Sequence, residues 1–219
     1  MCTYSEFYPH QHEPLLVVIS GPSGAGKDSV IKSMKARGVP FHFVVTATSR
    51  QRRPGEREGV DYRFLAPEEF QRRLRCGDFI EHAVVYGDHY GVPKGELMGA
   101  LAAGRNAVLR VDVQGARTLR RLLPDAIFVF VMAESEDEHL RRLRRRGSET
   151  EQTLQHRAAK LRHELTYLPE FDYLVVNRRC RLEEAAAQLE AIATAERNRV
   201  ARQQQRVLDP KEGTANDAT

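Results

Sequence analysis

Residues 21–30 of the chain read GPSGAGKDSV, and this stretch decides the fold. An apolar run, PLLVVIS (14–20), comes directly before it, and a helical pattern, KDSVIKSMKAR (27–37), begins inside it. A glycine-rich loop that joins a buried strand to a helix is the context in which such a sequence binds phosphate. The stretch therefore predicts an α/β chain with a phosphate-binding loop after its first strand.

The spacing within the loop indicates how it would hold an anion. Gly21 is followed, after four residues, by Gly26 and Lys27. Glycines let the backbone wrap closely, so that N–H groups and the helix N-terminus face the phosphates, and the lysine adds a positive charge. The residues predicted to bind a nucleotide in this way are Gly21, Pro22, Ser23, Gly24, Ala25, Gly26 and Lys27.

The loop departs from the usual pattern at the position after its lysine. Asp28 stands where such loops normally carry Ser or Thr, whose hydroxyl helps to hold magnesium. A carboxylate is also a hard oxygen ligand, and an anion is favourable in the first turn of a helix. We therefore predict that Asp28 contacts magnesium directly or through water. Ser29, one residue out of register, is the alternative source of the hydroxyl.

Short β-rich runs alternate with helical patterns along the rest of the chain. Further strands are predicted at 41–48, 106–113, 126–133 and 173–177. Helices are predicted at 67–76, 94–104, 116–123, 135–146, 150–168 and 182–204. Several of the strands are apolar without alternation, as expected of parallel strands covered on both faces. The pattern therefore indicates a doubly wound α/β core.

Two segments do not follow this alternation. Residues 49–92 contain short polar strands and turns rich in Gly and Tyr, which predicts an inserted subdomain. Residues 135–165 are dense in Arg and Glu and are predicted to form a helical lid. The polar ends, 1–13 and 206–219, are predicted to be extensions of a core domain that spans 14–205.

Composition narrows the class of protein. The chain has 219 residues, 41% of them hydrophobic and 29% charged, and its three cysteines are too few for a disulfide framework. The N-terminal stretch lacks a signal-peptide pattern, and no apolar run reaches the length of a membrane span, so we expect a cytoplasmic protein without membrane contact. The net charge of +4 suits a polyphosphate substrate as well as a nucleic acid. Because no nucleic-acid-binding motif is found, we expect no nucleic-acid partner.

Five further stretches follow the loop in order: TATSRQRRPGEREGVDYRF (46–64), DFIEHAVVYGDHYGVP (78–93), VDVQGA (111–116), RRGSETEQTLQHR (145–157) and DYLVVN (172–177). Together they resemble the guanylate kinase family, with matching order and spacing from about residue 14 to residue 200. The resemblance implies a P-loop nucleoside monophosphate kinase fold, a GMP-binding insertion, and transfer of the γ-phosphoryl group of ATP to GMP with magnesium as cofactor.

The resemblance also implies which residues bind GMP. Arg50 and Arg53 would clamp its phosphate, because a guanidinium fork matches phosphate oxygens in shape and charge. Tyr62 and Tyr90 would donate their hydroxyls to the same phosphate. Glu81 would accept hydrogen bonds from N1–H and the 2-amino group of guanine, a donor pair that adenine lacks. Thr48 is the neighbouring candidate for the base.

Further residues are implied at the donor side. Asp112 is predicted to end a strand, to hold magnesium through water and to lie beside GMP. Arg142, Arg146 and Arg157 would act from the lid with Lys27 in catalysis, by bringing positive charge to the transferring phosphoryl group. Asn177 resembles the family's contact to adenine.

Two more positions differ from the family pattern. Arg110 stands where an acidic residue is common, and Val92 replaces a hydroxyl residue near the GMP phosphate. We hypothesise that the acid missing at 110 has in effect moved to 28, and that Arg110 balances Asp28 or Asp112.

Two other functions stay open at this point. The loop form GKDS also resembles that of ribose 1,5-bisphosphokinase, a related P-loop kinase that acts on a sugar phosphate. A non-catalytic guanylate-kinase-like binding module is the other alternative. The sequence leaves open whether the chain is a monomer or a homo-oligomer.

Overall fold

The structure is a computed structural model that describes residues 13–85, 87–145, 151–200 and 202, with only the backbone described for 151–156. The strands among these residues are β1 (Leu16–Ser20), β2 (His42–Phe43), β3 (Ala47–Thr48), β4 (Arg63–Phe64), β5 (Phe79–Val85), β6 (Asp88–Pro93), β7 (Ala107–Arg110), β8 (Ile127–Ala133) and β9 (Tyr173–Asn177). The helices are α1 (Lys27–Ala36), α2 (Pro67–Arg75), α3 (Lys94–Ala102), α4 (Val113–Leu122), α5 (Glu136–Arg144), α6 (Glu151–Leu165) and α7 (Leu182–Arg197).

A parallel sheet forms the centre of the molecule, with strand order β2-β7-β1-β8-β9. Every residue of the central strand β1 is buried, as its unbroken apolar sequence predicts. Val17 and Ile19 pack on one face with residues of α1 and α7, and Leu16 and Val18 pack on the other face with residues of α3 and α4. The prediction of a parallel α/β sheet covered on both faces is confirmed.

A smaller mixed sheet, with strand order β4-β3-β6-β5, lies within residues 47–93. Its β5–β6 and β3–β6 pairs are antiparallel, and its β3–β4 pair is parallel. Phe70 of α2 is fully buried beneath it and stacks on Phe79 and His89, with ring centroids 4.6 Å and 5.2 Å away. Phe70 is therefore the main apolar anchor of this sheet.

The apolar run at 41–48 is not one strand, as its sequence predicts, but two. β2 belongs to the parallel sheet, where the Val44 N–H that follows it still donates to the Val108 carbonyl at 2.9 Å. β3 belongs to the mixed sheet, and the Thr46 carbonyl before it accepts from Arg63 N–H at 2.9 Å. A continuous hydrophobic pattern cannot reveal this change of partner, because both sheets bury the same kinds of side chain.

The strand predicted at 106–113 is also shorter than expected. It ends at Arg110, and Asp112 is the N-cap of α4, with its Oδ1 accepting from Gly115 N–H at 2.9 Å. The cap begins the helix at Val113, three residues before the predicted start, because a side-chain acceptor satisfies a free N–H of the first turn.

None of the helices within the described ranges has the length and apolarity to cross a membrane.

We expect Phe70→Ala to lower the free energy of unfolding by about 3–5 kcal/mol, because it removes a fully buried ring that two aromatic side chains contact. Chemical denaturation followed by circular dichroism measures the change. Met98→Ala, at a side chain that is 44% exposed, is the control and should change stability by less than about 0.5 kcal/mol. A loss for Phe70→Ala as small as that of the control would contradict the packing described here.

Candidate active site

A cavity of about 260 Å³ lies between the phosphate loop and the mixed sheet. The loop lies at one end, β5 and β6 form the opposite wall, and the residues after β7 together with α6 close the space between them. The residues from the loop that line it are Gly21, Ser23, Gly24, Gly26, Lys27 and Asp28. Because the loop follows the carboxyl end of β1, the cavity lies where ligands of open parallel sheets are usually bound.

The loop turns where only glycine fits. Gly21 has φ 132°, and a side chain there would collide with the Val131 carbonyl oxygen. Gly26, with φ 90°, lies against the amide nitrogen of Asn177 and is the N-cap of α1. Lys27 folds over the loop and donates from Nζ to the carbonyls of Gly21, at 2.5 Å, and Pro22, at 3.0 Å. The predicted loop conformation is therefore present, with Pro22 and Ala25 buried beneath its surface.

Arg142 and Asn177 support the loop from behind instead of lining the cavity. The Ala25 carbonyl accepts from Arg142 Nη1 at 3.1 Å and from Asn177 Nδ2 at 2.9 Å. Arg142 Nη2 also donates to the Asn177 carbonyl at 2.8 Å, and its Nε donates to Glu138 at 2.6 Å. A buried carbonyl without a donor would be costly, so these side chains are used to hold the loop. The contacts of Arg142 with the transferring phosphoryl group and of Asn177 with adenine stay predictions.

The structure describes one of the other two arginines predicted to act from the lid. Arg157, on α6, lines the cavity. Arg146 lies outside the described residues. Of the predicted lid arginines that the structure describes, Arg157 is therefore the one that reaches the cavity.

Asp28 forms an ion pair with Arg110. The Arg110 side chain is only 14% exposed, so the guanidinium is held largely away from water while it neutralises the carboxylate. The structure thus places Asp28 beside Arg110, as the hypothesis of a charge balance requires, although the carboxylate also lines the cavity and is 45% exposed. Ser29, the alternative source of a metal ligand, is exposed and is not among the described residues that line the cavity.

A carboxylate, Glu56, accepts hydrogen bonds from both arginines of the predicted phosphate clamp. Glu56 accepts from both terminal nitrogens of Arg50, at 2.9 Å and 3.1 Å, and from the backbone N–H of Arg53, at 2.8 Å. Arg50 Nε donates to the Tyr90 hydroxyl at 3.2 Å. Arg50 is buried behind Tyr90, whereas Arg53 and Tyr90 line the cavity. Glu56 has no sequence signature apart from its place six residues after Arg50, and sequence reasoning missed it.

Tyr62 also lines the cavity, and its ring lies edge-on to that of Tyr90 with centroids 6.0 Å apart. Burial, with a further contribution from Tyr90, raises the pKa of Tyr62 to about 12. The phenol therefore keeps its proton at neutral pH and is available to donate a hydrogen bond.

Thr48 does not reach the cavity. It is fully buried, and its hydroxyl donates to the His89 carbonyl at 2.9 Å while accepting from Arg50 N–H at 3.2 Å. Thr46, two residues earlier, lines the cavity instead. Thr46 rather than Thr48 therefore reaches the cavity wall. Residues two apart in an extended segment point the same way, so their spacing does not tell which one lies at the cavity.

Glu81 is the most unusual residue of the site. Its side chain enters the cavity from β5, the residue is only 5% exposed, and its Oε1 has no hydrogen-bond partner among the described residues. A Cβ on Gly115 would lie 2.8 Å from that oxygen, so the glycine leaves room for the carboxyl. Burial, together with the charge of Asp112, raises the pKa of Glu81 to about 8. A buried acceptor without a partner is costly, which indicates that a donor from a ligand completes it.

A second buried carboxyl, Glu164 on α6, was missed by sequence reasoning. It lines the cavity, interacts with the backbone N–H of Ser23, and is close enough to Lys27 and Asp112 for their charges to act on it. Burial raises its pKa, against the opposing effect of Lys27. Glu164 follows Arg157 by seven residues and so shares its helix face, which is the one signal that the sequence offered.

The cavity therefore brings together parts that suit two anionic substrates. Backbone N–H groups and Lys27 lie at one end, Arg53 and two tyrosines lie at the other, and carboxyls lie between them. Such a site can hold two phosphate groups in line and shield their charge.

Comparison with known proteins agrees with this geometry. The family profile described as Guanylate kinase matches residues 13–196. The chain belongs to the guanylate kinase family. A protein of Oryza sativa subsp. japonica named guanylate kinase 2, chloroplastic/mitochondrial, is 47% identical over 189 residues, which cover 86% of this chain and 66% of that protein. A guanylate kinase of Clostridium perfringens (strain SM101 / Type A) is 40% identical over 198 residues, which cover 90% of this chain and 91% of that protein.

A solved structure supports the same assignment. The crystal structure of guanylate kinase from Anaplasma phagocytophilum aligns with a TM-score of 0.71 and 29% identity, covering 92% of this chain and 96% of that one. Membership of the guanylate kinase family, predicted from the order of the motifs, is confirmed. The chain is accordingly a P-loop kinase, and the binding-module alternative is not favoured.

We expect Glu81→Gln to stabilise the ligand-free protein. The folded pKa of Glu81 is raised to about 8 from 4.5, so the stability that this group contributes is full below about pH 4.5 and is lost as the pH rises to about 8. An amide of the same shape removes that loss. Near pH 7 the free energy of unfolding should therefore rise by about 2–3 kcal/mol, and near pH 4 it should stay almost unchanged.

Thermal or chemical denaturation at the two pH values measures this difference. Glu68→Gln, at an exposed glutamate of α2, is the matched control and should have little effect at either pH. A Glu81→Gln protein that is no more stable than the wild type near neutral pH would refute the assignment of a costly buried carboxyl.

Proposed function

We propose that the chain transfers the γ-phosphoryl group of ATP to GMP, giving ADP and GDP in purine nucleotide metabolism. The observation that carries this proposal is the buried Glu81 carboxyl, whose Oε1 lacks a partner among the described residues. Family membership supports the same reaction.

The base of GMP is proposed to bind at Glu81. An ionised carboxylate accepts two parallel hydrogen bonds, and the guanine edge offers two donors, N1–H and the 2-amino group. Thr46, which lines the cavity, replaces Thr48 as the nearby hydroxyl that this proposal uses. Adenine presents an unprotonated N1 at the same place, which would leave the buried carboxylate unpaired.

The phosphate of GMP is proposed to bind beside Arg53, Tyr62 and Tyr90, at the end of the cavity away from the phosphate loop. Arg53, Tyr62 and Tyr90 line the cavity there, and Arg50 adds its charge from behind Tyr90. Because Glu56 already holds Arg50, that guanidinium is fixed in place before the substrate arrives. Preorganised donors of this kind avoid a loss of side-chain entropy on binding.

ATP is proposed to bind with its phosphates on the loop from Gly21 to Asp28. Backbone N–H groups at the start of α1 and the Lys27 ammonium would hold the β- and γ-phosphates. Arg157, from α6, would bring positive charge to the phosphoryl group as it moves between the substrates. Phosphoryl transfer depends mainly on such positioning and charge neutralisation, so the proposal requires no protein nucleophile.

Magnesium is proposed as the cofactor, bound with ATP. The Asp112 carboxylate fits this role, because it is a hard oxygen donor that lines the cavity near Lys27 and Glu164. It would hold the hydrated ion, which shields the negative charge of the phosphates during transfer. Asp28 is left out of this role because Arg110 already pairs with it.

Relative rates with GMP, IMP, AMP and ribose 1,5-bisphosphate test the proposed substrate in a coupled ADP-release assay. We expect GMP to be preferred. IMP, which keeps N1–H but lacks the 2-amino group, should lose about 10- to 100-fold in kcat/KM, since one hydrogen bond to a charged group is missing. AMP should lose about 10³-fold or more, because it leaves the carboxylate unpaired. Preference for the sugar phosphate would replace this proposal by the related sugar-phosphate kinase activity.

The KM for GMP should fall as the pH rises from about 6.5 to about 8 and then level off. The carboxyl of Glu81, with its pKa raised to about 8, must be ionised before it can accept both guanine donors. Below that pKa, each pH unit should change the KM by up to about tenfold. The KM for ATP over the same range is the control and should stay nearly constant. A KM for GMP that does not depend on pH in this range would contradict the role of Glu81.

A further inference from the structure

Arg110 contacts residues from both ends of the cavity. It ends β7, lines the cavity, and pairs through Nη1 with Asp28 at the start of α1. Its Nη2 donates to the Asp61 backbone carbonyl at 3.1 Å, and its guanidinium lies 4.2 Å from the centre of the Tyr62 ring. One side chain therefore contacts the phosphate loop's helix, the turn before Tyr62 and the Tyr62 ring.

The geometry of these contacts suits arginine in particular. A planar guanidinium stacks on an aromatic face while its N–H groups point outwards to acceptors on two sides. A lysine ammonium keeps the positive charge but neither the flat surface nor the fork. The contacts to Tyr62 and to Asp61 therefore depend on the shape of Arg110 as well as its charge.

Two other side chains connect α1 to the same turn. Lys32 forms an ion pair with the Asp61 carboxylate at 3.1 Å, and Lys35 Nζ donates to the Val60 carbonyl at 3.4 Å. Lys32 is 58% exposed, so its contact is a surface ion pair of small energetic effect. Among the described residues of α1 and β7, Arg110 is the one that contacts the Tyr62 ring and lines the cavity.

Tyr62 connects Arg110 to the residues proposed to bind the phosphate of GMP. Its ring lies edge-on to the Tyr90 ring, and the Tyr90 hydroxyl accepts from Arg50. The direction of the Tyr62 hydroxyl is set by the position of its ring, and Arg110 holds that ring from the side of the phosphate loop.

We infer that Arg110 is a positioning residue for the acceptor phosphate, and that Asp28 serves the same end by holding Arg110. The inference rests on the proposed binding of GMP. It assigns to Asp28 a role in the acceptor site, although the residue belongs to the donor loop. By contacting both, Arg110 fixes the distance between the phosphate loop and the Tyr62 ring.

The test compares the binding of GMP and of guanosine, without ATP, to the wild type and to Arg110→Lys. Guanosine carries the same base but no phosphate. If Arg110 positions Tyr62 for the phosphate, the Kd of GMP should rise about tenfold, and the Kd of guanosine should change by less than about twofold. Isothermal titration calorimetry measures the first value, and ligand-observed NMR titration measures the second.

Lys32→Met is the matched control, because it breaks the neighbouring ion pair to Asp61 without touching Tyr62. It should leave the Kd of GMP within about twofold of the wild type. Tyr62→Phe should raise the Kd of GMP. Arg110→Lys should then raise that Kd by a smaller factor in the Tyr62→Phe protein than in the wild type, since both changes act on the contact of the Tyr62 hydroxyl with the phosphate. Full additivity, equal losses for GMP and guanosine, or unchanged GMP binding in Arg110→Lys would overturn the inference.

Asp28→Asn separates this role from metal binding. We expect it to weaken GMP binding severalfold in the absence of metal, and to leave the magnesium concentration for half-maximal activity within about twofold. A raised magnesium requirement with unchanged GMP affinity would make Asp28 a metal ligand and overturn its part of the inference. If the wild type neither binds nor phosphorylates GMP, the proposed function fails. If it does both while Arg110→Lys equals it in GMP binding, only the present inference fails.

Discussion

The close approach of the phosphate loop to the end of β8 determines the geometry of the whole cavity. Gly21 lies against the Val131 carbonyl, where no side chain can be accommodated. The Ser23 carbonyl contacts His139 Nε2 at 2.7 Å, and the Ala25 carbonyl accepts from Arg142 and Asn177. Because the loop is held from behind at these points, α1 leaves it in one direction, which brings Asp28 to Arg110 at the end of β7.

Charge around the cavity is organised in pairs. Arg50 is matched by Glu56, Arg110 by Asp28 and Arg142 by Glu138, and each pair is at least partly shielded from water. Pairing of this kind contributes little net stability, because desolvation opposes the attraction. Its effect is to hold each guanidinium in one orientation, so the donors that face the cavity need little rearrangement when a phosphate arrives. Glu81 has no such pair, since its Oε1 lacks a hydrogen-bond partner within the described part of the chain.

The sequence allowed the parallel sheet, the phosphate loop and the family to be predicted, because each depends on local spacing. It did not reveal that Arg142 and Asn177 support the loop, since their partner is the Ala25 carbonyl, 117 and 152 residues away in the chain. It gave no ground for choosing Thr46 over Thr48, because side chains two residues apart in an extended segment point the same way, and only the tertiary structure shows which of them lies at the cavity. Glu164 was hidden among the charged residues of α6, where nothing local separates a buried carboxyl from an exposed one.

What the sequence by itself determined is the set of local conformations: the glycine turns, the apolar strands, the helices and the order of the motifs along the chain. These follow from backbone sterics and from the burial of apolar side chains, which neighbouring residues largely decide. Only the tertiary structure decided which polar groups meet: it selected Asp28 over Asp112 as the partner of Arg110, and it revealed the contact of Arg110 with Tyr62. The physical reason is that, outside pairs within one helix such as Glu138 and Arg142, nothing local fixes the partner of a charged side chain. Its partner is whichever opposite charge or dipole the packed sheet and helices bring within a few ångströms.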